Sequence, residues 1–450
     1  MHSLELLIRE VDNATEELLE IHRRLVQFPT VNTGIMPTGN ELELCQYLHQ
    51  LFTEEGIPSE VLESAENRGN FIARLGDKGG KAKLMFMSHS DVVPEGDPKN
   101  WTFPPFSAKV SEGRVYGRGA SDCKGLTACQ IMTIILLKRL NVPLKNDLII
   151  AVGADEETGA KYGFGWLAKN VPEKVDAEYA INEGAGSAIT TPKGIYFPIA
   201  MGEKGRFEAK IRFHGKASHA AWPWVADSVL PKIAEAIEKI HAYQPQRDVS
   251  NPTFATLLPA FGIEEHATAE NIDGIIERIS AQNNFVGNLL RGLSRMTITP
   301  TMVSSGLKSN SVPESGELIC DIRALPSQEP EYARGELTDI LAGIEGCDVD
   351  LTTTAISNTS PIDETLMSAM ESATDAALGV KTKILPSLTV GFTDSRLIRA
   401  LGVTVYNFAP TRPESDPERN RVHSSDESIS IDDLIFRTKV MLGLAYHLVC

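Results

Sequence analysis

The sequence predicts an α/β fold: a mixed, largely parallel sheet flanked by helices, with a second, α+β domain inserted into it. The first 200 residues alternate short apolar, β-rich runs with helical patterns, which is typical of βαβ units. From about Gly202 the pattern changes to strands with alternating polar residues around helical stretches, which favours an α+β domain. After Ser357 the α/β pattern returns. We therefore expect one domain of residues 1–200 and 357–450 and an inserted domain of residues 201–356.

Three predicted strands of the first domain each run into histidine, carboxylate or amide side chains. KLMFM (Lys83–Met87) is followed by His89 and Asp91, DLIIAVG (Asp147–Gly153) by Asp155, Glu156 and Glu157, and AEYAI (Ala177–Ile181) by Asn182 and Glu183. In open α/β sheets, ligands bind just beyond the carboxyl ends of the strands. We expect these three strand ends to meet at one crevice.

The rest of the chain supplies further elements of both kinds. The inserted domain has strand patterns in RFEAKIRFHG and SGELICDIRAL and helical patterns in DSVLPKIAEAIEKIHAY and PEYARGELTDILAGI. Between them, residues 244–294 form an elaboration with an amphipathic segment near Ile272 to Leu293, to which we assign no function. After the insertion, ETLMSAMESATDAAL predicts a helix and GVTVYNF (Gly402–Phe408) a strand.

Composition and charge exclude several classes of protein. Hydrophobic residues make up 42% of the chain and charged residues 23%, an ordinary globular balance that argues against disorder. The net charge is -17, and no basic run could neutralise several phosphates. We therefore expect no nucleic-acid partner.

The chain is also predicted to be cytoplasmic, without a membrane partner. The stretch up to Leu25 has the pattern of a charged amphipathic helix rather than of a secretion signal. The longest apolar run with helical character, Thr127 to Leu137, is far shorter than the roughly 20 residues that cross a bilayer. The six cysteines contain no CxxC pair, which suits reduced thiols.

Imidazole and carboxylate groups at strand ends suit zinc or, less specifically, manganese or cobalt. His89 and Asp91 are two residues apart, so in an extended segment both side chains point the same way. Asp91 could then hold the second ring nitrogen of a metal-bound His89. Taken alone, an HxD pair is more often ordinary surface chemistry.

Two further segments carry candidate carboxylates. In GRGASDCKG the glycines permit unusual backbone angles that could place Asp122 between two metal ions. The competing interpretation, a phosphate-binding loop, lacks the GxxxxGK[ST] spacing. Of the adjacent Glu156 and Glu157, one could bind metal while the other transfers protons. The alternative for this pair is a solvated acidic helix start.

Eight short segments follow one another along the chain: MSHSDVVP, GRGASDCKG, ADEETGA, INEGAG, GKASHAAWP, NSVP followed by CDIR, GFTDSR and NRVH. In this order they resemble the segments of the dinuclear zinc metallopeptidase family that contains aminoacylases, acetylornithine deacetylase, succinyl-diaminopimelate desuccinylase and glutamate carboxypeptidase. Each motif is short, but eight ordered matches over nearly the whole chain make coincidence remote.

The resemblance implies two Zn²⁺ ions per subunit, with Co²⁺ or Mn²⁺ as alternatives. His89 and Glu183 would bind one ion, and Glu157 and His423 the other. Asp122 would bridge the two ions, next to a cis peptide bond to Cys123.

The resemblance also implies roles for residues that bind no metal. Glu156 would be the general base that takes a proton from a metal-bridging water, so that the hydroxide attacks, and Asp91 would orient His89. His219 of a partner subunit would stabilise the oxyanion, so the protein would be a homodimer whose inserted domain is a lid and dimerisation domain. The substrate-binding residues would be Arg323, Asn310, Gly391 and Thr393.

These roles predict a zinc-dependent hydrolase that cleaves an amide bond adjacent to a free carboxylate in a small peptide or an N-acyl amino acid. A dipeptidase or carboxypeptidase is favoured, because VHSSDES and the long second domain are more similar to the carboxypeptidase branch. The alternative enzyme is an N-acyl-amino-acid deacylase. The alternative of another class is a metal-free, catalytically inactive binding homologue, which is disfavoured because every ligand position and Glu156 carry competent residue types.

Overall fold

The computed structural model describes residues 3–450 and divides the chain into two compact units. The first unit comprises the chain up to Met201 together with Ser360–Ser387 and Thr393–Cys450. The second unit comprises Gly202–Thr359 and Leu388–Phe392.

The chain contains eighteen strands within the described residues. They are β1 (Ser59–Ala65), β2 (Arg68–Leu75), β3 (Ala82–His89), β4 (Lys109–Ser111), β5 (Arg114–Tyr116), β6 (Leu148–Gly153), β7 (Ala177–Asn182), β8 (Ile189–Thr191), β9 (Gly194–Glu203), β10 (Gly205–His214), β11 (Ser218–His219), β12 (Thr297–Ser305), β13 (Ser311–Val312), β14 (Ser315–Ala324), β15 (Cys347–Ala355), β16 (Thr382–Thr389), β17 (Thr404–Asn407) and β18 (Ser428–Ser430).

Thirteen α-helices lie in the same described part of the chain. They are α1 (Leu4–Asn13), α2 (Thr15–Gln27), α3 (Glu41–Glu54), α4 (Lys124–Arg139), α5 (Phe164–Asn170), α6 (Val229–Ala242), α7 (Pro252–Ala260), α8 (Ile272–Ser280), α9 (Asn284–Leu293), α10 (Pro330–Ile340), α11 (Glu364–Leu378), α12 (Ser395–Arg399) and α13 (Ile431–Val449). None of the described helices is long and apolar enough to span a membrane.

The large sheet of the first unit confirms the predicted α/β fold. Its strand order is β1-β2-β6-β3-β7-β17-β9-β16, and β8 pairs with β9. The central strands β6, β3, β7 and β17 are parallel, whereas β1, β2 and β6 pair antiparallel at one side. A smaller sheet, β18-β5-β4, belongs to the same unit.

Alternate residues of the central strands enter two separate apolar cores. Leu84 and Phe86 of β3 pack with α4 and α13, while Met85 and Met87 of the same strand pack with α5 on the opposite face. Strands buried on both faces are almost continuously apolar, and this explains the uninterrupted apolar runs in the sequence. Helices therefore cover both faces of the sheet.

The N-terminal stretch differs from the single amphipathic helix that its pattern predicts. It forms two helices, α1 and α2, separated at Ala14. The hydroxyl of Thr15 donates to the carbonyl oxygens of Asp12 and Val11, and such local bonds compete with the helical ladder. Met1 and His2, which begin the predicted helix, lie outside the described residues.

The second unit is built on an antiparallel sheet of order β12-β14-β10-β15. One face packs against α6 and α10 through alternate residues of β10, including Phe207, Ile211 and Phe213. The residues between them, such as Arg206 and Lys210, lie on the opposite, polar face. The elaboration predicted at 244–294 contains α7, α8 and α9.

Candidate metal centre

The carboxyl ends of three parallel strands bring the sequence-predicted residues together in the first unit. His89, the last residue of β3, pairs with Gly153 at the end of β6, and the tight turn after β6 carries Glu156 and Glu157. Glu183 follows directly after β7. Asp122 comes from the loop before α4, and His423 from the segment before β18.

Asp122 lies between the two histidines. Its Oδ1 is 3.1 Å from Nε2 of His89, and its Oδ2 is 3.1 Å from Nε2 of His423. Nε2 of His89 is also 3.2 Å from Oε1 of Glu183, and Nε2 of His423 is 3.3 Å from Oε2 of Glu157. The five side chains thus form two donor sets that share one carboxylate. The Asp122–Cys123 peptide bond is cis, as expected.

The residues present fit divalent metal ions. Asp122, Glu157 and His423 each offer a ligand atom within 4.8 Å of the others. Oε1 of Glu157 is buried and has no hydrogen-bond partner among the described residues, which is costly unless a cation compensates it. Nitrogen and carboxylate oxygen donors in this combination suit zinc. His423 is half-exposed, so the site is open to solvent on that side.

Burial and the neighbouring carboxylates raise the pKa values of two of the acidic side chains, and a bound cation would oppose this rise. Burial raises the pKa of Glu183 to about 7, and the charge of Asp122 adds to the shift. Burial and Asp122 likewise raise the pKa of Glu157. Burial opposes ionisation of Asp122 as well, but hydrogen bonds from His423 and His89 hold its pKa below the usual range. A dication in each donor set would remove this repulsion.

Cys123 is a neighbour that sequence analysis did not need as a ligand. Its Sγ accepts from the backbone N–H of His89 at 3.1 Å, and it lies within 4.8 Å of donor atoms of His89 and Glu183. Burial raises the pKa of this thiol to about 12. Because the thiolate is the metal-binding form, Cys123 is a poor ligand compared with the carboxylates around it.

Glu156 is buried beside the donor sets, and among the described residues only its backbone takes part in hydrogen bonds. Its carboxyl group has no hydrogen-bond partner within the described chain, whereas its backbone N–H donates to Oδ1 of Asp91 at 3.0 Å. Burial raises the pKa of Glu156 well above its ordinary value, and Glu183, Asp394 and Glu157 add to the shift. A raised pKa and an unoccupied carboxyl suit a group that exchanges protons.

Asp91 supports both the histidine and the glutamates. The carbonyl oxygen of Asp91 is 3.0 Å from Nδ1 of His89, and its carboxylate is 3.5 Å from the same nitrogen. The carboxylate also accepts from the backbone N–H groups of Glu156 and Glu157. The side chain therefore orients the turn after β6 in addition to the imidazole.

Three residues near the centre were missed by sequence analysis, and the first two have buried side chains. Asn32 donates to Asp91 at 2.8 Å, but it lies in a loop with no local motif. Glu427 accepts from the backbone N–H groups of Ser121 and Asp122 at 3.0 and 3.1 Å. Glu427 stands four residues after His423 in VHSSDES, and that proximity was an available signal.

The third missed residue is Asp394 in GFTDSR. Both of its carboxyl oxygens are buried without a hydrogen-bond partner among the described residues. Burial raises its pKa well above the ordinary value, Asp91 and Glu183 contribute, and Arg396 and His89 oppose the shift. The neighbouring Thr393, predicted in the pocket, accepts from Nδ2 of Asn407 at 3.1 Å.

The other predicted residues lie in the second unit. His219 is exposed on β11, and its Nδ1 accepts from the backbone N–H of Ala221 at 3.1 Å. Asn310 is next to it, since its carbonyl oxygen accepts from the backbone N–H of Ala220 at 3.0 Å. Arg323 lies on β14, where it pairs with Asp321, and Gly391 follows β16.

Comparison with known proteins decides the family. A model of peptidase family M20/M25/M40 matches residues 85–447. The chain belongs to this family. It is accordingly a metal-dependent hydrolase of peptide or linear amide bonds, and the predicted resemblance is confirmed.

Curated and solved relatives of this M20 hydrolase include both deacylases and peptidases. A probable succinyl-diaminopimelate desuccinylase of Staphylococcus aureus is 28% identical over 343 residues, covering 73% of this chain and 74% of the relative. An M20 metallo-carboxypeptidase of Sulfolobus solfataricus has a TM-score of 0.70 at 21% identity, covering 95% of this chain and 99% of that one. A di-peptidase of Saccharomyces cerevisiae has a TM-score of 0.74 at 14% identity, covering 99% and 98%.

Proposed function

We propose that this M20 hydrolase is a dipeptidase or carboxypeptidase that binds two zinc ions and cleaves an amide bond adjacent to a free carboxylate. One observation carries the proposal. The two carboxylate oxygens of Asp122 each contact a different imidazole, and the Glu156 carboxyl beside them has no hydrogen-bond partner among the described residues. Cobalt or manganese would fit the same donors less specifically. All six cysteines are free, which supports the proposed cytoplasmic location.

Each ion has its own set of protein ligands in this proposal. His89 and Glu183 would hold one ion, Glu157 and His423 would hold the other, and Asp122 would be shared between them. The contacts of 3.1 to 3.3 Å between the imidazole nitrogens and the carboxylate oxygens support this grouping. The carboxylates of Asp122, Glu157 and Glu183 would neutralise most of the charge of the two ions.

The chemistry needs one proton carrier, and Glu156 fills that role. When bound, the metal ions supply Lewis acidity and lower the pKa of an attacking water. The Glu156 carboxylate accepts the proton of this water and returns it to the departing amine, which would otherwise have to leave as an anion. Asp91 keeps the turn in place through its two backbone hydrogen bonds, so the Glu156 carboxyl stays directed at the donor sets.

His219 supplies the oxyanion donor from a partner subunit in this proposal. Its exposed ring has one nitrogen committed to Ala221, and Nε2 has no partner within the described residues. The second unit would act as the lid and dimerisation domain. Strand β12 is an unpaired edge of its sheet, and Met302 and Val303 on it are 64% and 60% exposed. An exposed apolar edge of this kind favours pairing with a second copy of the chain.

A mixed-subunit experiment tests the dimer. Neither Glu156→Ala nor His219→Ala protein should be active alone. If His219 acts across the dimer, co-expression of the two variants should restore about a quarter of wild-type activity, because half of the dimers each contain one intact site. Light scattering should give the mass of a dimer. An active monomer, or mixed protein with no recovered activity, would contradict the proposal.

A deacylase is the second candidate, and the Staphylococcus aureus desuccinylase relative favours it. Zinc-loaded protein should be assayed against a panel of dipeptides and N-acyl amino acids, with Arg323→Ala as control. Faster cleavage of dipeptides supports the peptidase, and faster cleavage of N-acyl amino acids supports the deacylase. Less than roughly one zinc per chain in protein purified without chelator would contradict the proposed pair of zinc ions.

A further inference from the structure

Two arginines face each other on the polar side of the second unit's sheet. Arg206 on β10 is paired directly with Arg323 on β14. Nε of Arg206 donates to Oδ2 of Asp321 at 2.9 Å, and Nε of Arg323 donates to Oδ1 of the same carboxylate at 2.7 Å. Both guanidinium groups lie over the ring of Phe392, at 5.6 and 5.7 Å from its centroid.

The two guanidinium groups differ in the donors that remain for a ligand. Arg323 directs both Nε and Nη2 toward Asp321, although Nη2 is 3.5 Å away. The pair of donors formed by Nε and Nη2 of Arg323 is therefore occupied by Asp321. Arg206 uses only Nε, and its two terminal amino groups have no hydrogen-bond partner in the part of the chain that the structure describes. Arg206 therefore keeps both terminal amino groups, Nη1 and Nη2, as a pair of parallel donors, or fork, that can bind a carboxylate in bidentate fashion.

The net positive charge of the arginine cluster also favours binding of an anion. Two guanidinium groups share one carboxylate, so the cluster keeps one positive charge, and like charges directly opposite each other in a sheet are destabilising. Glu208, two residues along the same face, makes no ion pair with any described residue. The side chains of Arg206 and Arg323 are 34% and 27% exposed, so a ligand can reach them.

We propose that Arg206 is a specificity-determining residue that binds the substrate carboxylate. Arg206 and Arg323, joined by Asp321 above Phe392, form a two-guanidinium subsite in which Arg206 supplies the bidentate fork. This inference rests on the proposed hydrolysis of an amide bond next to a carboxylate. It adds the residue that selects that carboxylate. Arg323 then acts with Arg206 rather than alone.

Arg206→Gln tests the subsite with two matched pairs of compounds: Ala-Ala and its C-terminal amide, and N-acetylalanine and its amide. For whichever carboxylate compound is cleaved, KM should rise about 10- to 100-fold, the expected effect of losing hydrogen bonds to a charged group, with kcat changed far less. The preference for carboxylate over amide should disappear. Arg206→Lys keeps the charge without the fork and should recover part of the loss.

Arg212→Gln is the matched control, because Arg212 lies on the same face of β10 and pairs with Glu317 and Asp350. It should leave KM and the carboxylate preference unchanged. Equal carboxylate preference in Arg206→Gln and wild-type protein would overturn the inference.

Binding separates failure of the subsite from failure of the proposed function. Calorimetry in zinc-loaded Glu156→Ala protein measures affinity for the same four compounds without turnover. Adding Arg206→Gln should weaken binding of the carboxylate compounds about tenfold or more and leave the amides unaffected. If wild-type protein cleaves neither pair, the proposed function fails while calorimetry still decides on the subsite. Absence of any carboxylate preference in the Glu156→Ala protein would refute it.

Discussion

Nδ2 of Asn32 donates a buried hydrogen bond of 2.8 Å to Oδ2 of Asp91. The same amide nitrogen is 3.0 Å from Oδ1 of Asp155 and 3.1 Å from Oγ1 of Thr158. Asp155 in turn pairs with Arg68 at 3.2 Å. Asn32 therefore joins the carboxylate behind His89 to the turn that carries Glu156 and Glu157, and it separates two buried negative charges.

Replacing Asn32 should reduce catalysis more than substrate binding. Asn32→Ala leaves Asp91 and Asp155 without their shared donor, so we expect a loss of about 1–3 kcal/mol in stability. We expect kcat to fall about tenfold with little change in KM, because the Glu156 turn loses its support. Asn32→Asp should be worse, since it adds a like charge. Asn170→Ala, which removes only an exposed bond to Trp166, is the control. Wild-type kcat in Asn32→Ala protein would contradict the assigned role.

Replacing Glu156 should abolish turnover without emptying the metal site. Glu156→Gln keeps the shape of the side chain but cannot accept a proton, so kcat should fall by about 100- to 10,000-fold. Zinc content, measured by inductively coupled plasma mass spectrometry on the same preparation, should match that of wild-type protein. Glu173→Gln, at an exposed position, should behave as wild type. Zinc loss in the Glu156 variant would indicate that this residue is a ligand.

Glu427 should support both the fold and the metal affinity, and a pair of variants can separate the two. Nη1 of Arg118 donates to Glu427 at 2.5 Å, and both side chains are buried. Glu427→Ala leaves Arg118 as an unpaired buried charge, which should cost about 3–5 kcal/mol of stability. Loss of the bonds to the Ser121 and Asp122 backbone should also weaken zinc binding about 10- to 100-fold.

The double variant Arg118→Met, Glu427→Leu removes the charge pair and should recover much of the stability. It should not recover zinc affinity, because the backbone before α4 still lacks its acceptor. Zinc titrations and urea unfolding measure the two effects separately. Wild-type zinc affinity in both variants would show that Glu427 serves the fold alone.

Lys204 should make the stability of the second unit depend on pH. Nζ of Lys204 donates to the carbonyl oxygens of Gly292 and Arg295, and burial, with Arg323 and Arg295 nearby, lowers its pKa to about 7. Between pH 7 and the ordinary lysine pKa, the unfolded chain binds a proton that the folded chain does not. Stability therefore rises with pH in this window, by up to about 1.4 kcal/mol per pH unit.

Lys204→Met should remove this contribution to the pH dependence. The difference in unfolding free energy between wild-type and variant protein should change in favour of the wild type from pH 7 to pH 9, measured by urea unfolding at constant zinc. Using the difference cancels the groups that titrate in both proteins. A difference that does not vary with pH would show that Lys204 is charged in the folded state.

The sequence predicted the strand ends well because their signals are local. Apolar runs followed by His89, by Glu156 and Glu157, or by Glu183 can be recognised without knowing where the rest of the chain lies. The α/β fold follows from the same runs. The break at Ala14 was missed because it is a single residue outside the helical backbone conformation, and hydrophobic periodicity does not register one such residue.

The supporting residues could not be predicted in the same way. Asn32 is 59 positions from Asp91 and has no local motif. Glu427 lies close to His423 in the sequence, but the backbone of Asp122 that it supports is 305 positions away, and only folding brings the two together. Arg206 was not singled out from the sequence for the same reason, because it becomes a neighbour of Arg323 only through the pairing of β10 with β14.

Asp122 is more sensitive to mutation than either histidine, because it belongs to both donor sets. A change at His89 or at His423 leaves the opposite imidazole with its own carboxylate oxygen, at 3.1 Å in either case. A change at position 122 withdraws an oxygen from both at once. A single substitution of this aspartate would therefore disturb both donor sets, whereas a single substitution of either histidine would disturb one.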